Sequence, residues 1–533
     1  MSVMRAVLVI IVLLIASVQC TKSIPSSGEN SKIVGVELIP RRVPAFSGNH
    51  DNVLYDLKIK NYASGSGKIS LQSVKIQFTG DSKIGSLASV SVVGTDSQNP
   101  VFGLTTKLEG ITEIAGNTQL ADGTNFFTLH FVFKSILQLT DHFDVQQVDL
   151  TFSDHTVLNV VSQSKFSNRP TILLRSAGQD QVNTYRIPGL TTTNKGTLIA
   201  VYDNRYLNSG DLQGDIDVGM SRSTDGGQSW SAMRKVLDMG DYGGLPQEQN
   251  GVGDPCVLVD KSTNTIWVAG LWVNGIPGQT AWNGSKPGVK PGETGQFVMA
   301  KSEDDGITWS QPIDITEQCK NPAWNLFFQG PGSGITLTDG TLVFPAQFKD
   351  DQKVPYSTII YSKDYGKTWR VGTGAKSNTT ESQLVQLANG SLMLNMRDDR
   401  NKTEKGDLNG RAVAVTNDLG QTWTVHSSSN SALPESNCQA SILSAKVLVD
   451  GISKDVLFFS NPNDKVSRAH LTIKASLDQG TTWPVACQVE LNSADSFGYS
   501  CLTMVNDQTV GILYEGTKDL YFQEIGVDEI FKK

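Results

Sequence analysis

The stretch Ser223-Thr224-Asp225-Gly226-Gly227-Gln228-Ser229-Trp230 decides the fold, because the chain carries its frame five times. Ser/Thr-x-Asp-x-Gly-x-Ser/Thr-Trp returns at Ser302–Trp309, Ser362–Trp369, Thr416–Trp423 and Ser476–Trp483. The box tryptophans stand 79, 60, 54 and 60 residues apart, and five chance copies of so restrictive a pattern are not credible. Each copy has the chemistry of a hairpin turn. The Asp carboxylate folds onto nearby backbone N–H groups, the Gly supplies φ > 0, and the Trp packs beneath. The boxed aspartates are therefore read as structural. Gly366-Lys367-Thr368, inside the third box, imitates the end of a phosphate-binding loop, but position 361, where such a loop needs Gly, is Tyr361.

A strand opened by a turn precedes each box: Thr197–Asp203, Thr265–Gly270, Thr341–Gln347, Ser391–Arg397 and Val456–Pro462. A sixth copy, Thr509–Glu515, has no box after it. Six strands and five boxes predict a six-bladed β-propeller, with Thr171–Arg175 completing the last blade and closing the ring. Several of these strands end on a polar residue: Asp203, Gln347, Arg397 and Glu515. Strand ends converge around a propeller axis, where a site would form.

Ahead of the repeats the pattern changes. Short alternating runs (Lys32–Leu38, Val53–Ile59, Ser70–Phe78, Ala88–Val93, Phe126–Phe133, Val145–Phe152) are separated by Gly, Asn, Asp and Ser clusters. They predict a β-sandwich. Ser167-Asn168-Arg169-Pro170 marks the boundary. The expected organisation is all-β: a leader at 1–20, a sandwich domain at 21–168 and a propeller at 169–533.

Arg5 precedes an apolar run from Ala6 to Val18, the length of a signal-peptide core and short for a membrane span. Cleavage after Cys20 is expected, giving a soluble, secreted protein with no membrane span. Lys+Arg 45 against Asp+Glu 53 gives a net charge of −8, which argues against a nucleic-acid partner. Cys256, Cys319, Cys438, Cys487 and Cys501 remain after the leader; the number is odd, so at least one is free or pairs between chains. No C-x-x-C, H-E-x-x-H or G-x-S-x-G occurs, and no metal or other cofactor is expected.

The motif Tyr185-Arg186-Ile187-Pro188, followed by the repeated boxes, resembles the exo-α-sialidases of the six-bladed propeller class. The resemblance covers about residues 170–530, and the residues before it look like the sandwich that precedes the propeller in some bacterial-type sialidases. It implies three arginines for the carboxylate of sialic acid: Arg186, Arg397 in Leu394-Asn395-Met396-Arg397, and Arg468 in Val466-Ser467-Arg468. Guanidinium forks suit that anion, because they bind a carboxylate through paired, charge-assisted hydrogen bonds. Glu515 in Leu513-Tyr514-Glu515-Gly516 is implied as the buttress of the first arginine. Arg205 in Tyr202-Asp203-Asn204-Arg205 is implied as a further pocket arginine, with Asp203 either lining the pocket or holding the loop. Asp254, in Gly253-Asp254-Pro255, resembles a structural or rim residue.

The resemblance further implies Asp211, in Ser209-Gly210-Asp211-Leu212, as acid and base, and Tyr499 as nucleophile with Glu381 as its base. A phenol suits the task, since an attacking carboxylate would be repelled by an anionic sugar. The implied partners are sialylated glycans of glycoproteins, glycolipids and oligosaccharides. Two alternatives stand beside hydrolysis: transfer of the sialic acid to an acceptor, and a non-catalytic sialoside-binding propeller. Linkage preference and oligomeric state stay open.

Overall fold

The computed structural model describes residues 33–532 except 49, 63–67, 96–100, 135–137, 163–165, 213 and 274–279. The leader read at 1–20 lies outside the described residues. Among those described, no helix is long and apolar enough to cross a membrane.

The chain divides into two compact units. The first spans the residues up to Arg41, Val53–Phe131 and the stretch from Asp144. It holds two antiparallel sheets. One orders its strands Ile33–Pro40, Asn52–Asn61, Gly123–Phe133, Leu87–Gly94, Val101–Thr105; the other orders Val157–Val161, Val145–Phe152, Ser70–Phe78, Ile111–Gln119. Alternate residues of each point inward and are buried, among them Leu57, Ile59, Val74, Ile76, Val148 and Leu150. Phe131 of one sheet meets Phe78 of the other edge to face at 6.4 Å, the packing of a sandwich.

The second unit runs from Phe166 onward and takes in Arg42–Asn52 and Val132–Phe143. It contains six sheets in chain order, each built on four antiparallel strands. The first blade is Thr184–Thr192, Leu198–Arg205, Ile216–Ser223 and Arg234–Leu237. Blades two to five begin at Gly251–Val259, Leu326–Gln329, Thr379–Gln386 and Ser441–Val449. The sixth joins Ser500–Asn506, Thr509–Glu515 and Leu520–Gly526 to Pro170–Arg175, so a strand from before the first blade closes the last. The predicted six-bladed propeller is what the chain forms. Its apolar cores lie between neighbouring blades; Ile199, Val201 and Val218 of the first, for example, pack on Val252, Val257 and Val268 of the second.

In the first five blades a box turns the third strand into the fourth. In the third box Asp364 accepts the Thr368 N–H at 2.9 Å and the Thr368 hydroxyl at 2.7 Å. Ser362 donates to Asp364 and accepts the Gly366 N–H. Two consecutive residues lie at positive φ in every box, Tyr365 and Gly366 here. Of the five box tryptophans, Trp369 and Trp483 are buried; the other three are half-buried. Among the described residues, Cys256, Cys319, Cys438, Cys487 and Cys501 are all free thiols.

Candidate active site

Three first strands carry a register shift at the same end of the propeller. Between Arg186 and Gly189, Gly253 and Cys256, and Thr379 and Ser382, the strand has one residue more than its neighbour. Such bulges re-aim side chains. They place Ile187, Asp254 and Glu381 on the wall of one cavity of about 320 Å³. Asp211, Arg397, Gln347 and Tyr499 line it too, and Leu271, Leu326 and Phe328 form an apolar side. Ile187 and Asp254 both sit at positive φ immediately before a proline, 55° and 57°. For a β-branched residue such as Ile187 that is a strained conformation, of the kind that surrounding contacts must enforce.

The enforcing contact comes from Glu515, at the end of the last blade's second strand. Its carboxylate accepts the Ile187 N–H at 2.9 Å, Arg186 Nε at 3.1 Å and the Tyr499 N–H at 2.9 Å. One buried carboxylate thus fixes the first arginine and the tyrosine together. Gly498, at φ 85°, makes this approach possible; a Cβ there would stand 2.9 Å from Pro462 and 3.1 Å from Arg468.

Three guanidinium groups surround Tyr499. Arg186 and Arg468 stand 5.4 and 5.6 Å from its ring centroid, and Arg397 donates to its hydroxyl oxygen at 3.0 Å. The Tyr499 hydroxyl donates to Glu381, whose other oxygen accepts Arg397 at 2.6 Å. Burial, then the Glu381 charge, push the phenol well above its ordinary pKa, while Arg397 and Arg468 pull it back. Tyr499 is therefore a neutral phenol whose hydroxyl already donates a hydrogen bond to a carboxylate.

Asp211 is on the loop between the first blade's second and third strands, with a side chain 70% exposed at the cavity mouth. Arg205 reaches it at 2.8 Å and Arg186 at 3.4 Å. Burial would lift this carboxyl, but Arg205, then Arg186 and Arg397, outweigh it and hold the group below the usual carboxylate range. Arg205 is almost fully buried. It also donates to Asp203 at 2.9 Å and to the Ser209 carbonyl at 2.8 Å. Asp203 in turn accepts the Asp254 N–H at 2.9 Å, and burial lifts Asp203 to about 6 despite Arg205. Burial, then the Asp203 charge, push the Asp254 carboxyl well above the ordinary carboxylate range against the pull of Arg205, and Asp254 lines the cavity wall.

All eight side chains implied by the sequence thus converge on one end of the propeller. Arg186, Arg205, Arg397, Arg468 and Glu515 gather around Asp211, Glu381 and Tyr499. Asp254 has more to offer than a rim, since it faces the cavity. The signal was the parallel between Gly253-Asp254-Pro255 and Arg186-Ile187-Pro188, each a left-handed residue before proline in a bulged first strand.

Chemically, the arrangement pairs an anion-binding set of arginines with a phenol–carboxylate couple and a separate, exposed carboxyl. A family profile described as a BNR repeat-like domain matches residues 196–512. A sialidase of Bacteroides fragilis is 43% identical over 522 residues, covering 92% of this chain and 94% of its own length. A sialidase of Micromonospora viridifaciens is 32% identical over 346 residues, 63% of this chain and 50% of its own. The solved structure of a Hadza microbial sialidase is 38% identical with a TM-score of 0.83, covering 92% of this chain and 99% of its own. With likeness of that strength along nearly the full length of both chains, the protein belongs to the sialidase family.

Proposed function

We propose that this sialidase acts as an exo-glycosidase on terminal α-linked sialic acid, through a tyrosyl intermediate and with retention of configuration. The observation that carries the reading is the Tyr499 hydroxyl donating to Glu381 amid three guanidinium groups. Arg186, Arg397 and Arg468 bind the sugar carboxylate. Asp211, protonated, gives its proton to the glycosidic oxygen as the bond from that oxygen to the anomeric carbon breaks. The Tyr499 oxygen bonds to the anomeric carbon and passes its proton to Glu381. Water then attacks the same carbon on the face the leaving group vacated. Asp211 takes the proton from water, the carbon–tyrosyl bond breaks, and Glu381 returns the proton to Tyr499. Two inversions give retention.

The substrates of this reading are sialylated glycoproteins, glycolipids and oligosaccharides. Its leader supports export, and mass spectrometry of the exported protein should find Thr21 at the N-terminus.

The test is release of methylumbelliferone from its α-sialoside. Wild type should turn over, and Tyr499→Phe and Asp211→Ala should each lose at least about a hundredfold in kcat, the scale of a lost nucleophile or general acid. Full turnover by Tyr499→Phe would remove the tyrosine from the mechanism. An intact, folded wild type that releases nothing would favour a sialoside-binding propeller.

A further inference from the structure

Arg397 is held only through its terminal nitrogens, since its buried Nε has no partner. One terminal nitrogen is taken by Glu381 and Tyr499. The other donates at 2.9 Å to Oδ1 of Asn437, a residue 40 positions away in the turn before the fifth blade. Asn437 is buried and sits at φ 59°. Its Nδ2 donates to the Asp398 carbonyl at 3.1 Å and to Asp399 Oδ1 at 3.4 Å. Its own carbonyl accepts Arg468 at 3.3 Å. One residue therefore grips two of the three guanidinium groups, one with its side chain and the other with its backbone.

The turn is clamped from beneath. Glu435 accepts the Asp398 N–H at 3.2 Å, Asn401 Nδ2 at 2.6 Å and Arg411 at 3.1 Å. Arg411 also donates to the Cys438 carbonyl at 2.6 Å, and both members of the pair are fully buried. The strand end bearing Arg397 and the turn bearing Asn437 are thereby locked to each other.

We propose that Asn437 is a positioning residue that fixes the fork of Arg397 and its spacing from Arg468 for a carboxylate ligand; this rests on the sialoside reading above. Paired hydrogen bonds to a carboxylate need the guanidinium plane held in one orientation, and a small misplacement weakens them steeply. Asn suits the position, because it tolerates left-handed backbone while presenting both an acceptor and a donor.

The test measures, by calorimetry, binding of the glycal of sialic acid and of its methyl ester to the full-length chain. The acid-to-ester affinity ratio reports the arginines' grip on the carboxylate. A loss of folded protein weakens both ligands alike and leaves the ratio unmoved. Asn437→Gly keeps the backbone conformation and carbonyl but deletes the hold on Arg397, so the ratio should fall on the order of tenfold. Should the glycine variant fail to fold, Asn437→Ser keeps a small polar side chain but draws the acceptor back from Arg397, and the ratio should fall there too. A wild-type ratio in either folded variant overturns the proposal. A wild-type protein with no preference for acid over ester overturns the sialoside reading instead.

Discussion

Asp211 and Tyr499 meet the arginines in opposite ways. The phenol is buried and kept neutral, whereas the carboxyl is exposed at the mouth and kept ionised by Arg205, then Arg186 and Arg397. An ionised Asp211 cannot protonate a leaving group. Asp211 is counter-ion to Arg205 and Arg186, and the proposed mechanism gives Arg186 to the substrate carboxylate. On the mechanism proposed above, a bound carboxylate takes over Arg186 and Arg397, weakens their pull on Asp211 and lets its pKa rise. The competent form of the acid is the protonated one, so activity falls as pH rises through that pKa. The kcat/KM profile reports free enzyme and kcat reports the complex. The falling limb of kcat should therefore lie at higher pH than that of kcat/KM, and coincident limbs in the two profiles would refute the exchange of partners.

At the scale of elements, the box is a turn whose carboxylate is consumed by its own backbone and hydroxyl neighbours. Hydrogen bonds from Thr308 and Thr422 hold Asp304 and Asp418 at about 2. Slight burial opposes the same shift at Asp364, and the bonds from Thr368 outweigh it to give about 2. Folded pKa values depressed below the unfolded 3.8 mean that this stabilisation is present above about pH 4 and is lost as pH falls toward 2. Asp364→Ala should lower the unfolding free energy by about 1 kcal/mol at neutral pH, since these bonds are largely solvent-screened. The difference from wild type should shrink in acid melts; a constant difference down to pH 2 would contradict the assignment. The boxes and the second strands were legible because each is local: Leu198–Tyr202 is a continuous apolar run opened by a turn. Ile111–Gln119 and Val101–Thr105 were not, because they alternate weakly and expose much of their length. The same limit applies to the site. Arg186 and Glu515 stand in short motifs, whereas Asn437 acts through a partner 40 residues away and a backbone conformation that no spacing encodes.

The whole propeller is a closed ring, and its seam lies between the two ends of the repeat region. Pro170–Arg175 pairs with Leu520–Gly526, and Phe522 on that strand is fully buried and meets Trp230 of the first box edge to face at 5.2 Å. Phe522→Ala should cost about 3–5 kcal/mol by chemical denaturation, the range for a buried aromatic; a change under about 1 kcal/mol would show that the seam is not a stability determinant. The triple contact of Glu515 with Arg186, Ile187 and Tyr499 sits beside this seam and has a consequence for biosynthesis. Arg186 leaves the ribosome more than three hundred residues before the carboxylate that aims it. A nascent chain can build and bury blade after blade and still be catalytically silent. Turnover should switch on in a single step, late, when the last blade docks, and timing activity against the completion of synthesis would read that step. A glycosidase assembled in this order stays silent until the polypeptide is finished.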